Sequence, residues 1–169
     1  FGSDGFTVGS DNGNNKSSSN FVAWCWKANG PAASVSANTD GSINTTKTSA
    51  NTTSGFSINT FTGSGSAATV GHGLGAVPRM IISKDYGGTN DWYVYHAGVG
   101  NTHALRLSTN DNKDDSDGYW NDTTPTSTVY SVGNNSGTND TDTMVSYVFT
   151  PKQGFSAINS FTGNGNANG

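Results

Sequence analysis

Four aspartates crowd one short segment, Asp111-Asn112-Lys113-Asp114-Asp115-Ser116-Asp117-Gly118. Carboxylates packed this densely repel one another, and a Ca²⁺ ion, which gathers oxygen ligands, relieves the repulsion. Asp111, Asp115 and Asp117 are the candidate ligands, with Gly118 for the sharp turn such loops need. No Glu closes the segment in the EF-hand manner, and it also reads as an acidic loop held in solvent. Aromatic rings offer a second chemistry. Trp92, Tyr93, Tyr95, Tyr119 and Trp120 stand in segments that also hold Asn and Asp. A ring face stacks on a pyranose while amides and carboxylates bind its hydroxyls. Trp92, Tyr95, Tyr119 and Trp120 are the candidate glycan-binding residues, although a chain so short of aliphatics also needs rings for its core.

Signals for catalysis are sparse. The three histidines, His72, His96 and His103, stand in no zinc-binding spacing. Serines abound, but no G-x-S-x-G elbow presents one as a nucleophile. Every acidic residue is Asp, and those residues fall in polar loops rather than in apolar surroundings that would raise a carboxyl pKa. A glycan-degrading enzyme would need two Asp carboxyls roughly 5–9.5 Å apart across a cleft. Gly71-His72-Gly73-Leu74-Gly75 is glycine-rich but lacks the lysine of a phosphate loop, and reads as a tight turn or bulge. The sequence is therefore read as non-enzymatic, with no cofactor expected beyond the Ca²⁺ candidate.

Composition narrows the class. The 169 residues are 31% hydrophobic and 12% charged, with 23 Gly. Ser, Thr, Asn and Gly make up about half of the chain, far above ordinary usage. A formal net charge of −4, with 8 Lys and Arg in no cluster, gives no general affinity for nucleic acid or anionic membrane. No apolar run is long enough to span a bilayer as a helix. Cys25 is the single cysteine, so the chain has no internal disulfide. Low hydrophobicity alone would suggest disorder, but 11% of the residues are aromatic and sit in short runs with Val, Ile and Thr. That pattern builds strands.

Period-two runs bounded by turn residues predict strands at Gly5–Gly9, Asn20–Lys27, Gly55–Thr62, Ala68–Val70, Arg79–Lys84, Trp92–His96, Ala104–Ser108, Thr128–Val132, Met144–Thr150 and Phe155–Thr162. No stretch has a helical apolar period. An all-β fold follows, an antiparallel β-sandwich of jelly-roll type. A repeat runs through these strands. Gly55-Phe56-Ser57-Ile58-Asn59-Thr60-Phe61-Thr62-Gly63-Ser64-Gly65 returns as Gly154-Phe155-Ser156-Ala157-Ile158-Asn159-Ser160-Phe161-Thr162-Gly163-Asn164-Gly165, with one residue inserted. A fainter echo relates Phe6-Thr7-Val8-Gly9 and Phe21-Val22-Ala23-Trp24-Cys25-Trp26 to Val129-Tyr130-Ser131-Val132-Gly133 and Met144-Val145-Ser146-Tyr147-Val148-Phe149. Trp24 and Trp26 share one strand face, as Tyr147 and Phe149 do. The expected organisation is a tandem array: 1–29 the last strands of one unit, 30–54 a polar linker or arm, 55–153 a complete unit, and 154–169 the first strand of the next. Both ends read as cut from a longer chain, and no signal peptide is visible.

The order of these motifs resembles a known family. Gly55-Phe56-Ser57 with Phe61-Thr62-Gly63-Ser64-Gly65, then Ala68-Thr69-Val70-Gly71-His72-Gly73-Leu74-Gly75, Val77-Pro78-Arg79-Met80-Ile81-Ile82, Asp91-Trp92-Tyr93-Val94-Tyr95-His96 and Tyr119-Trp120-Asn121-Asp122-Thr123 look like one module. It is similar to the repeat domain of virion-associated, fibre-like structural proteins of marine tailed bacteriophages, cyanophages among them. Phe21-Val22-Ala23-Trp24-Cys25-Trp26-Lys27 resembles the strand that ends the preceding domain there. The resemblance implies a virion surface or tail appendage and carries no catalytic residues over. The expected role is a structural or adhesion module outside the particle, with copies of itself, other virion proteins or host-surface glycan as partners. A lectin-like glycan-binding module and an extracellular filament subunit joined by donor strands are the alternatives.

Overall fold

A computed structural model describes residues 5–29 and 35–167. Most of the regular structure is β. Strands β1 (Lys47–Asn51), β2 (Phe56–Thr62), β4 (Met80–Asp85), β5 (Tyr93–His96), β6 (His103–Arg106), β7 (Asp114–Asp115) and β9 (Thr143–Phe149) form a seven-stranded sheet in the order β1-β2-β9-β4-β5-β6-β7. Strands β3 (Ala68–Gly71) and β8 (Val129–Val132) form a two-stranded sheet against it. Every pairing between these strands is antiparallel. The fold is an all-β sandwich, as the alternating pattern predicts.

Strand β9 lies inside the large sheet, zipped along its length to β2 on one side and β4 on the other. Side chains alternate across a strand, so the register assigns them to faces. Phe61, Met144, Ile81 and Val148 point inward and are buried, meeting Val70 and Val132 from the small sheet. The same inner face carries a polar row. Thr48 pairs with Asn59, Asn59 with Ser146, Ser146 with Ser83, and Ser83 with Tyr93 across five neighbouring strands. Asn59, Ser83 and Ser146 are fully buried. Tyr130, in β8 of the facing sheet, meets this row by a hydrogen bond between its hydroxyl and that of Ser146.

Three one-turn helices close the loops among the described residues, each started by a side-chain cap. In α1 (Asn12–Asn15), Asp11 Oδ1 accepts from the Gly13 N–H at 2.7 Å. In α2 (Asp117–Trp120), Ser116 Oγ accepts from the Gly118 N–H at 3.1 Å, and the turn drives Tyr119 and Trp120 into the core. In α3 (Ser136–Asn139), Asn135 Oδ1 accepts from the Gly137 N–H at 2.8 Å. Asn139 is fully buried and acts as a clamp: its Nδ2 donates to Gly133 O at 2.6 Å and Ser66 O at 2.7 Å, while its Oδ1 accepts from the Ser64 N–H at 2.8 Å.

Three expected strands do not form. Residues 5–9 and 20–27 carry no strand, and 155–162 holds only the single bridge between Lys152 and Ser156. A strand needs a ladder partner, and in the folded sandwich the partners of the matching sequences are already paired with β8, β9 and β2 themselves. The polar segment expected as a linker or arm also differs. Residues 30–34 lie outside the described residues, but Thr45 is buried, Ile43 packs on the core, and β1 pairs with β2 through five register positions. Main-chain bonds and hydroxyls hold this segment, such as the Asn38 N–H on Thr45 Oγ1 at 2.7 Å ahead of β1, so large apolar residues are not required. No helix among the described residues is long and apolar enough to cross a membrane.

Candidate functional site

The outer face of the large sheet is aromatic and aliphatic where a solvated face would be polar. Register places Phe56, Phe149 and Met80 side by side, and Ile58, Tyr147, Ile82 and Val94 in the next row but one. Part of this face is covered by the chain's own N-terminal segment. Trp26 lies over Phe56 at a ring-centroid distance of 6.1 Å and meets Phe149 edge-on at 5.4 Å; Phe56 and Phe149 are 4.9 Å apart. Two hydrogen bonds tether the segment: Ser54 Oγ to Lys27 O at 3.0 Å, and the Asn29 N–H to Ser49 Oγ at 3.0 Å. The C-terminal segment comes to the other side of Trp26, where Phe155 and Ile158 flank a small cleft beside Phe149.

Between Trp24, Trp26, Tyr147, Trp92 and Leu107 the face opens into a groove of about 480 Å³. Its walls stay exposed: Trp24 at 75%, Leu107 at 63% and Trp92 at 38%. Trp92 stacks on Tyr147, centroids 6.3 Å apart and planes within 23°. Contiguous apolar surface of this kind marks a contact site for a macromolecule or a ring-bearing ligand. Ionisable groups with displaced pKa values lie in the packed interior.

His72 is one of these. It is fully buried, and burial lowers its pKa, against a smaller opposing effect of the Thr126 carbonyl. The Leu74 N–H donates to Nδ1 at 3.3 Å, so Nε2 carries the proton and donates to Thr126 O at 3.3 Å. Tyr130 is pushed well above the ordinary phenol range by burial, the Ser146 hydroxyl opposing. Burial, with the hydrogen bond to Asp114 adding to it, pushes Tyr119 up to about 12.

The structure sorts the sequence candidates clearly. Of the glycan candidates, Trp92 alone stands at the surface. Tyr95, Tyr119 and Trp120 are core residues, 3%, 4% and 1% exposed. Tyr95 meets Trp120 edge-on at 5.9 Å, and Tyr119 packs on Tyr93 at 5.0 Å. The acidic loop is gathered by protein cations. Arg106 reaches Asp114 at 2.8 Å, Asp111 at 3.2 Å and Asp91 at 3.7 Å, with its guanidinium over the Tyr93 ring. Asp115 faces His103 at 3.5 Å, and Asp117 opens α2. Asp111 and Asp115 are thus directed to separate side chains, Arg106 and His103, while Asp117 stands in the first turn of α2. Among the described residues, no three His, Cys, Asp or Glu side chains gather as a metal cage.

The exposed aromatic groove was not singled out from sequence. Its signal is nevertheless there: Trp24 and Trp26 alternate as Tyr147 and Phe149 do, and both pairs line it. What the alternation cannot tell is which of a strand's two faces is covered.

No curated protein and no solved structure matches the chain. A family model described as a domain of unknown function (DUF7483) matches residues 1–169, and the chain belongs to that family.

Proposed function

We propose that this chain is a non-enzymatic structural module of a tailed-phage appendage, displayed outside the particle in a tandem array and assembling through β contacts. One observation carries the reading: most large apolar residues of the terminal segments lie in the open. Phe161 is 94% exposed, and Phe21, Val22, Trp24 and Phe155 are exposed with it. A soluble monomer buries such side chains or hands them to a partner. The low charge suits close packing, since a dense surface charge keeps copies apart. Light scattering of the purified chain over a concentration series, with electron microscopy of the same samples, tests the reading. Growing oligomers that image as rods or fibre segments support it; a monomer at every concentration overturns it.

A lectin-like role is the second reading, favoured by the Trp92–Tyr147 stack beside Asp91 and Ser108. Ser108 Oγ donates to Asp91 Oδ1 at 2.7 Å, next to the half-open Trp92 ring. Binding to a glycan array that disappears in Trp92→Ala would support it, and an array without signal would remove it.

A further inference from the structure

The two terminal segments are matching halves of one joint. Sequence alignment sets residues 6–15 against 130–139, and 21–26 against 144–149. The folded geometry repeats with the sequence. Asp11 caps α1 as Asn135 caps α3, each on the N–H of a glycine two residues on. Asn15 Nδ2 donates to Gly9 O at 2.6 Å, and Asn139 Nδ2 donates to Gly133 O at the same 2.6 Å. The N-terminal segment thus repeats the capped turn that joins β8 to β9. The C-terminal segment likewise repeats the turns that flank β2. Gly154 and Gly165 adopt the positive φ of Gly55 and Gly65, at +77° and +70° against +71° and +63°. The Asn166 N–H bonds to Asn164 Oδ1 where the Ser66 N–H bonds to Ser64 Oγ.

In the complete unit these two pieces lock together. β2 pairs with β9 over seven register positions, and the Asn139 clamp holds the turn after β2. A glycine shows how tightly. A Cβ on Gly63 would collide with the Asp140 carbonyl oxygen. The matching Gly163 has nothing within 4 Å of such a Cβ. Its own surroundings do not require glycine; a joint that brings Lys16, the counterpart of Asp140, against it does. Side chains tell the same story. Phe61, Met144, Val148 and Asn139 are buried to 0%, whereas their counterparts Phe161, Phe21, Cys25 and Asn15 are exposed.

We infer that the C-terminal segment of one copy of this chain pairs antiparallel with the N-terminal segment of a second copy, in the register by which β2 pairs with β9. Transferred from the turn backwards, with the inserted residue taken up before Ala157 so that Ala157 stands for Ser57, Phe161 lies opposite Phe21, Asn159 opposite Ala23, Ile158 opposite Trp24, and Ala157 opposite Cys25. Asn15 of the second copy clamps the turn at 163–166. The joint repeats at each end, so copies add head to tail into a linear array. This rests on the structural-module reading and adds to it the partner, the polarity and the register.

Disulfide trapping in the full chain tests it. A cysteine at position 157 faces Cys25 of the next copy at the Cβ separation of about 4.5–5.5 Å of opposed strand residues, which a small local adjustment brings to the about 4 Å of a disulfide. Both positions are exposed, so Ala157→Cys leaves the fold intact. Oxidation of Ala157→Cys yields a ladder of linked dimers, trimers and longer species, and peptide mapping joins Cys25 to position 157. Ile158→Cys points to the opposite face and yields at least about tenfold less. Phe161→Ala weakens the association about tenfold to hundredfold. A crosslink confined to single chains, or equal yields at 157 and 158, overturns the joint. Light scattering on the same samples separates the outcomes. Oligomers without the 157 ladder discard the register and leave the structural module standing, whereas monomers throughout discard both.

Discussion

The repeat supplies its own control in Phe61 and Phe161, one residue type in matching sequence and opposite surroundings. Phe61 is 0% exposed, packed with Met144 and Val70 in the core. Truncating such a ring costs about 3–5 kcal/mol, the lost transfer energy plus the cavity. Against a stability of roughly 5–15 kcal/mol for a domain, that is a large share. For a chain of this size each kcal/mol lowers Tm by about 3 °C, so Phe61→Ala drops it by about 10–15 °C. Phe161 is 94% exposed. Phe161→Ala therefore changes the stability of a dilute monomer by less than about 0.5 kcal/mol, as surface substitutions do. Scanning calorimetry at a concentration where light scattering shows a monomer measures both. If Phe161→Ala lowers Tm there as far as Phe61→Ala does, the C-terminal segment belongs to the unit's own core, and the reasoning from matching halves would be refuted.

Further outcomes follow from the buried polar groups. His72 has a folded pKa below its ordinary 6.5, so below that pH the unfolded chain takes up the proton more readily. Stability is fully present above about pH 6.5 and is lost as pH falls towards the folded value; acid melts show the loss, and His72→Gln flattens it. Tyr119 and Tyr130 are raised, so their contribution is present below about pH 10 and is lost above it, seen as alkaline unfolding with exposure of phenolate absorbance. Tyr130→Phe leaves the buried Ser146 hydroxyl without that partner and costs about 1–3 kcal/mol in denaturant titrations. Asn139→Ala removes the clamp on 64–66 and costs about 2–4 kcal/mol, while Asn15→Ala leaves the monomer's melting unchanged. Equal effects of the two Asn substitutions would count against the difference in burial that separates them.

Much of the fold was readable because the core strands alternate. Phe56–Thr62, Met80–Asp85 and Thr143–Phe149 each fall within a residue or two of their predicted bounds. The errors share one physical cause. Residues 20–27 and 155–162 have as good a strand pattern as β9 and β2, and differ only in lacking a partner to pair with. A sequence states what a segment can pair with, and pairing itself belongs to the assembled sheet. β1 failed in the opposite direction. It has a partner but hardly any apolar residue, so hydrophobic pattern passed over it. The candidate site divides the same way. Trp92 was legible and stands at the surface, but Tyr95, Tyr119 and Trp120 carry the same chemistry inside the core. The acidic loop showed its charge in sequence, and its cation, Arg106, lies on a neighbouring strand that no local spacing could assign.

The composition also takes on a different physical meaning inside the sandwich. Ser, Thr and Asn fill loops, as expected, but they also cross the interior as the row Thr48–Asn59–Ser146–Ser83. Small polar side chains bury little apolar area, so this row adds little hydrophobic stabilisation. It lets the sheets approach closely, and Tyr130 reaches across to hydrogen-bond with it. Stability then rests on main-chain ladders and a compact aromatic cluster, and the remaining large apolar residues are placed outside, on Trp24, Trp26, Phe21 and Phe161. A monomer optimised for itself would move those rings inward and its hydroxyls outward. The inverse arrangement fits the proposed joint, in which a second copy covers these rings.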